Sequence, residues 1–260
     1  MDIVVLIKHV PDTGAVIRLT ADSADIARED LKMVLNPYDE YAVEEALLLR
    51  ERHGGTVTAV TLGPEEAQEA LRTALAMGAD EAVHLIDAAF AGGDALATAR
   101  ALAAALRRIP HDVILCGKQA VDDEVGEVGA AVAQMLGIGQ ALGVIRLEVE
   151  GTAFTAERPV EGGTEVVTGS LPAVITCTKG LNEPRYASLP GLMKAKRKEI
   201  TRLGAADLGL PADQVGRQGS RTRRLDLSYP PVHSAGKVVG TDAGACGELV
   251  RLLREEAKVL

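Results

Sequence analysis

The 260-residue sequence predicts an α/β fold: a mostly parallel sheet with flanking helices, an antiparallel hairpin excursion, and an extended C-terminal arm ending in a helix. Three observations carry that expectation. Through the first half, short β-rich apolar runs alternate with longer Ala/Leu/Glu-rich segments, as parallel strands joined by crossover helices do. After about residue 140 the texture changes to strand-like segments paired around glycine turns. Beyond Gly180 the periodicity weakens, and a Gly-, Ser-, Pro- and Arg-rich stretch precedes a final segment of helical spacing. Two Phe, four Tyr and no Trp among 47% apolar residues make the core aliphatic.

Each element has its own reason. IVVLIKHV at 3–10 is an apolar strand. Asn36-Pro37-Tyr38-Asp39 opens a helix running to about Arg50, with Asn36 as cap, Pro37 in the first turn, and Asp39 and Glu40 at the positive end of the dipole. TVTAVTL at 56–62 is the second strand. Gly63-Pro64-Glu65-Glu66 starts a helix that Gly78 stops after Met77. EAVHLI at 81–86 and DVILCG at 112–117 are strands, and between them Asp94 begins the small-residue helix ALATARALAAALRRI. A fourth helix, GEVGAAVAQMLG, starts near 126. VIRLEVEG, TAFTAERPV and TEVVTGS form hairpin strands around Gly151 and Gly162-Gly163, and LPAVITCT at 171–178 is a further buried strand. The expected plan is an α/β domain over 1–200, an extended arm over 201–240, and a helix over 241–260. Leu249, Leu252 and Leu253 give that helix an apolar face that needs a partner surface.

Charge and cysteine usage exclude several classes. With 37 acidic and 28 basic residues, net −9, the chain is unsuited to general nucleic-acid binding, and so few rings leave little platform for stacking bases. Basic residues concentrate in 194–224, where nine Lys or Arg face three acids. Cys116, Cys177 and Cys246 form no CxxC pair, and an odd count points to a reducing compartment rather than a disulfide framework. The apolar run in MDIVVLIKHVPD is too short and too early for a signal peptide, and no run suits a membrane span. The expected location is the cytoplasm, without membrane insertion.

Catalytic signatures are missing. His9, His53, His84, His111 and His233 show no metal-ligand spacing, and there is no GxSxG elbow, GxxxxGK[ST] loop or GxGxxG turn. Asp122, Asp123 and Glu124 are the dense carboxylate cluster, at a strand exit. In an open parallel sheet, ligands bind beyond the carboxyl ends of the strands. Lys8 to Asp12, Asn36 to Asp39, Leu62 to Pro64 and Gly117 to Asp123 all converge there. Two of these segments lead into helix N-termini that suit a phosphate, and Gly126 and Gly129 would let a phosphate approach the backbone. The residues alone reach a nucleotide-binding α/β domain without catalytic groups.

Five segments go further: LNPYDEYAVEEAL at 35–47, RTALAMGAD at 72–80, GKQAVDD at 117–123, VEGGTEVVTGSLPAVIT at 160–176 and LNEPRYASLPGLMKAKRKEI at 181–200. Over nearly the whole chain the sequence resembles the β subunit of electron-transfer flavoprotein. The resemblance implies a heterodimer with a homologous α subunit that holds most of one FAD, and an AMP buried in the β subunit. Electrons would pass from acyl-CoA or other flavin dehydrogenases, fatty acid β-oxidation among their pathways, to a membrane quinone oxidoreductase. No bond-making chemistry falls to this polypeptide. Carried over by motif, the AMP site comprises Leu6, Asn36, Pro37, Tyr38, Asp39, Leu62, Gly117, Lys118, Gln119, Ala120, Val121, Asp122, Asp123, Glu124, Val125, Gly126, Glu127 and Val128. The partner-recognition segment comprises Tyr186, Ala187, Ser188, Leu189, Pro190 and Met193, with Leu189 the apolar anchor. Without the resemblance, Asn36 to Asp39 read equally as a simple helix cap, and Leu189 as a buried helix-start residue.

Departures from the family pattern occur at Glu127 and Val128, which leave phosphate contacts to backbone N–H groups, and at Thr13 and Pro159. The main alternative is a bifurcating relative whose β subunit binds a second FAD instead of AMP. Such chains tend to carry a Gly-Asp-Thr-like run where this one has Asp122-Asp123-Glu124. An adenylyl-transfer enzyme would need an SGGxDS loop where this chain reads KHVPDTG, and a stand-alone nucleotide-binding stress protein would have no use for the arm. Tyr38, Tyr41 and Tyr186 are expected near interfaces or ligand.

Overall fold

A computed structural model describes residues 1–23, 25–231 and 236–260; His233 lies outside these described residues. In chain order the elements are β1 (Asp2–Leu6), β2 (His9–Pro11), β3 (Met33–Leu35), α1 (Pro37–His53), β4 (Thr56–Leu62), α2 (Gln68–Met77), β5 (Glu81–Leu85), α3 (Ala95–Leu106), β6 (Val113–Gly117) and α4 (Val128–Leu136). They continue with β7 (Gly139–Val144), β8 (Arg146–Glu150), β9 (Ala153–Val160), β10 (Gly163–Ser170), β11 (Ala173–Cys177), α5 (Leu189–Arg197), β12 (Thr201–Leu203), the short α6 (Gly216–Gly219) and α7 (Ala245–Glu255).

Seven strands form one parallel sheet in the order β12-β5-β4-β1-β6-β11-β7. The interior strands are Val- and Ile-rich because both faces are covered, and β11 is buried throughout. One face packs on α1 and α2 through residues such as Leu47, Leu49 and Leu71. The other packs on α3 and α4 through Leu102, Leu106 and Val132. Each core holds one buried ring, Phe154 or Phe90, among otherwise aliphatic side chains and cysteine or methionine, while Tyr38 and Tyr41 are half-buried and Tyr186 is exposed. β8, β9 and β10 form the antiparallel excursion, a separate three-stranded sheet. Among the described residues no helix is long and apolar enough to cross a membrane.

The sequence expectations need four corrections. The run 3–10 is not one strand: Asp39 captures the backbone N–H of Lys8, and the chain turns out of the sheet to pair β2 with β3. Helix α1 extends past Arg50 to His53 and stops at Gly54, φ +71. Helix α4 starts at Val128 rather than 126, because Gly126 lies in the left-handed region at φ +66. The expected arm over 201–240 is shorter. β12 adds to the sheet beside β5, and Ala205, Leu208 and Val215 are buried in the α3/α4 core. Few but well-spaced apolar residues are enough to hold that Gly-rich stretch down.

The free course of the arm starts at Asp94. One of its carboxylate oxygens caps α3 by accepting from Ala97 N at 2.9 Å, and the other accepts from Arg221 N at 2.6 Å and Thr222 N at 3.0 Å. Further along, the Tyr229 hydroxyl accepts from Leu19 N at 2.9 Å. On α7, Leu252 is buried while Leu249 and Val250 remain exposed. All three cysteines are free: Cys116 and Cys177 are buried, and Cys246 is exposed on α7. Cys116 pairs in register with Thr176, so Cys177 points to the opposite face of the sheet.

Candidate functional site at the sheet switch point

From β1 the chain proceeds through α1 and α2 toward one edge of the sheet, and from β6 through α4 toward the other. The strand order therefore reverses between β1 and β6, where a doubly wound sheet opens a crevice at its carboxyl end. The first turn of α1 lies across this fork. Asp39 Oδ2 accepts from Lys8 N at 2.7 Å and Oδ1 from Gly117 N at 2.8 Å, so one carboxylate joins the exits of both strands. Gly117 is required by proximity: a Cβ there would overlap Asp39 Oδ1 and stand 2.7 Å from Tyr38 Cβ.

Asn36 stands at the cap position of α1 but makes no cap hydrogen bond. Its Nδ2 donates to Gln119 O at 2.9 Å and its Oδ1 accepts from Val121 N at 3.2 Å, so it holds the loop after β6 instead. Simple capping is thus not its role. Lys8 completes the frame. Its ammonium lies 2.7 Å from Asp122 Oδ1 and 2.8 Å from Asp123 Oδ2. Burial pulls the Lys8 pKa down, but the two carboxylates outweigh it and hold the group above its ordinary value.

The site has two layers. Asn36 and Asp39 are buried with their side chains engaged by the protein itself, so a ligand meeting 36–39 would do so through backbone, Pro37 or Tyr38. Residues 122–127 are exposed, with Glu124 at φ 54 and Gly126 at φ 66 shaping the turn. Leu6 and Leu62 end β1 and β4, and Thr61 Oγ1 donates to Ile7 O at 2.8 Å between them. Gly129 has a packing reason to be small: a Cβ there would press on Thr176 Cγ2 at 2.8 Å and Cys116 Sγ at 2.9 Å, so its smallness seats α4 on the sheet. Two open depressions lie elsewhere, one beside α3 around Arg100 and Arg221, the other on the 12–32 excursion.

Burial pushes the Asp39 carboxyl up from 3.8 to about 7, against the pull of its two backbone donors. A raised folded-state pKa contributes stability that is fully present below the ordinary value and is lost as pH rises through the folded value. Asp39→Asn replaces one acceptor with a donor facing a backbone N–H, a loss of about 2 kcal/mol. The stability gap to wild type is expected to narrow between about pH 4 and pH 7. Urea midpoints measured across that interval check it, and a constant gap would mean that Asp39 titrates as it does unfolded.

The second candidate region is the 181–200 segment. Leu189 is 79% and Tyr186 98% exposed, and Met193 is also exposed, so Leu189 is not a buried helix-start residue. Ser188 Oγ accepts from Gly191 N at 3.1 Å and caps α5. Gly191 lets α5 lie against the end of α2, since a Cβ would stand 2.5 Å from Ala76 O. The segment is anchored from behind. Arg185 Nε and Nη2 donate to the two oxygens of buried Glu44, each at 2.9 Å, and its Nη1 reaches Glu51 at 2.7 Å. Asn182 Nδ2 donates to Glu45 Oε2 at 3.0 Å. These α1 partners escaped sequence reasoning, although two adjacent acids within the apolar AVEEAL stretch are a readable sign of buried pairing.

The family model for the electron transfer flavoprotein domain matches residues 24–208. The electron transfer flavoprotein subunit beta of Thermoanaerobacterium thermosaccharolyticum is 42% identical, over 92% of this chain and 92% of its own length. That of Bacillus subtilis is 41% identical over 100% of both chains. The Mycobacterium tuberculosis protein of the same name is 40% identical over 96% of both. The chain belongs to the electron transfer flavoprotein β-subunit family.

Similarity to the electron transfer flavoprotein β subunits thus extends past the matched domain into β1, which carries Leu6, and into the arm. Among the described residues of this family member, no group of three or more His, Cys, Asp or Glu could hold a metal. The described histidines are dispersed: His84 is buried with Nε2 3.1 Å from Gly63 O, and burial lowers the pKa of His9.

Proposed function

We propose that this chain is the β subunit of a heterodimeric electron transfer flavoprotein, working in the cytoplasm. It holds AMP at the switch point, shapes a FAD site carried mainly by the α subunit, and docks flavin dehydrogenases, acyl-CoA dehydrogenases among them. Electrons then pass through the FAD to a quinone oxidoreductase. The observation that supports the nucleotide reading is the reversal of strand order between β1 and β6. The buried frame there is internally satisfied, and α4 begins beside it with no side-chain cap.

The residues fit an adenylate. The ends of β1 and β4, near Leu6 and Leu62, border the place where a base would lie. The uncapped first turn of α4 offers N–H groups for a phosphate, and Gly126 and Val128 bring no side-chain acceptor to compete for them. Glu127 is an acid at that turn, so the contacts on the phosphate fall to the backbone. Bound FAD supplies the electron-accepting and electron-donating chemistry. This chain contributes scaffold, orientation and docking, and no proton-transfer group is required of it.

Co-expression with an α subunit, purification and release of bound nucleotides test the reading. FAD and AMP in near-equal amounts are expected. Two FAD without AMP would replace it with the bifurcating alternative, and failure to form a heterodimer would overturn it.

A further inference from the structure

Lys8 meets Asp122 and Asp123 where the loop after β6 passes the exit of β1, and the same exposed loop carries Glu124 and Glu127. An unshielded acidic loop would repel the phosphate of a bound adenylate. The loop is not unshielded, because Lys8 crosses from β1 and bridges Asp122 at 2.7 Å and Asp123 at 2.8 Å. These are the two acids nearest the strand exit. The Lys8 backbone is fixed by Asp39, and the other side of the same loop is fixed by Asn36, so the bridge is built on both sides. The Lys8 side chain is 41% exposed, so its stem is supported while its charge stays at the rim.

We propose that Lys8 is a positioning residue for phosphate recognition. By bridging Asp122 and Asp123 it neutralises them and holds them off the phosphate's approach to the first turn of α4. The proposal rests on the nucleotide reading given above. Lys8 itself touches no phosphate in this role and acts through the two carboxylates. Its contribution is therefore specific to the charged part of the ligand. A residue that merely held the fold together would affect base and phosphate alike.

The test uses the purified heterodimer stripped of AMP, with AMP and adenosine as probes in calorimetric titrations. Lys8→Met keeps the stem and the backbone bond to Asp39 but removes the charge that bridges the two acids, while Asp123 Oδ1 keeps its bond from Val125 N. It is expected to weaken AMP roughly tenfold or more, the size of one or two charge interactions at a partly exposed site. Adenosine affinity is expected to change less than about twofold. Adding Asp122→Asn and Asp123→Asn to Lys8→Met is expected to restore most of the AMP affinity, and Lys8→Arg to stay near wild type. Equal losses for AMP and adenosine, no loss for AMP, or no rescue by the neutralised loop would each overturn the proposal while leaving the nucleotide reading in place. A wild-type complex that binds neither probe would instead overturn the nucleotide reading and the role of Lys8 with it.

Discussion

Leu189→Ala is expected to slow reduction of the assembled flavoprotein by a partner dehydrogenase about 30-fold, the effect of removing one central interface anchor worth about 2 kcal/mol. The heterodimer and its nucleotide content are expected to stay intact. In the free chain Leu189 is 79% exposed, so truncating it removes little intramolecular packing, and α5 keeps its Ser188 cap. The segment behind it is held by the forked Arg185–Glu44 pair, which limits the ordering entropy lost on docking. Lys194, Lys196 and Arg197 lie on the same helix and would attract an acidic partner, so wild-type encounter rates are expected to fall with salt. Stopped-flow reduction of the flavin by the dehydrogenase measures both. An unchanged rate for Leu189→Ala would remove the segment from the docking surface.

Gly117→Ala is expected to destabilise the chain by at least about 3 kcal/mol and to abolish nucleotide retention. The added methyl would overlap Asp39 Oδ1 and crowd Tyr38 Cβ at 2.7 Å and Tyr38 C at 2.9 Å. The first turn of α1 would have to lift, breaking the bond from Gly117 N and the one carboxylate that joins β1 to β6. Gly163 is the control. It has no atom within 4 Å of its added Cβ, so Gly163→Ala is expected to change stability by no more than about 0.5 kcal/mol. Denaturant midpoints of both variants decide the matter. A near-native midpoint with retained nucleotide in Gly117→Ala would show the switch point to be pliable.

Strand Thr56–Leu62 is legible from sequence to the residue because an alternating β-branched run sits between Gly55 and Gly63. α3 is legible because Asp94 caps it, and its carboxylate does accept from Ala97 N at 2.9 Å. Strand β7 is not legible. Gly139–Val144 carries two glycines and an alanine, and it becomes a strand only by pairing with β11 much later in the chain. Asn36 shows the limit of local patterns at the site. Its position before Pro37 marks a helix start, yet its side chain serves Gln119 and Val121, 83 and 85 residues away. The Arg185–Glu44 pair spans 141 residues: the acids of the AVEEAL stretch announce a buried pairing, but nothing local names its partner. The loop after β6 stood out as a carboxylate cluster at a strand exit, whereas the exposed Leu189 segment came into view through family resemblance, because exposure and docking leave no periodic trace.

Strand order also constrains the chain as it is synthesised. β7 has one neighbour in the sheet, β11, and β11 is flanked by β6 on its other side. When β7 leaves the ribosome its only partner has not yet been made, and the edge of β6 is equally bare. The β8–β9–β10 sheet, whose pairings are local, is made in the interval and can close without waiting. At about 5–20 residues per second, two apolar strand edges stand open for roughly one to six seconds before β11 inserts between them. A nascent chain stalled just before Ala173 would therefore be a strong client for chaperones, whereas one stalled after Cys177 would have sealed its sheet on that side.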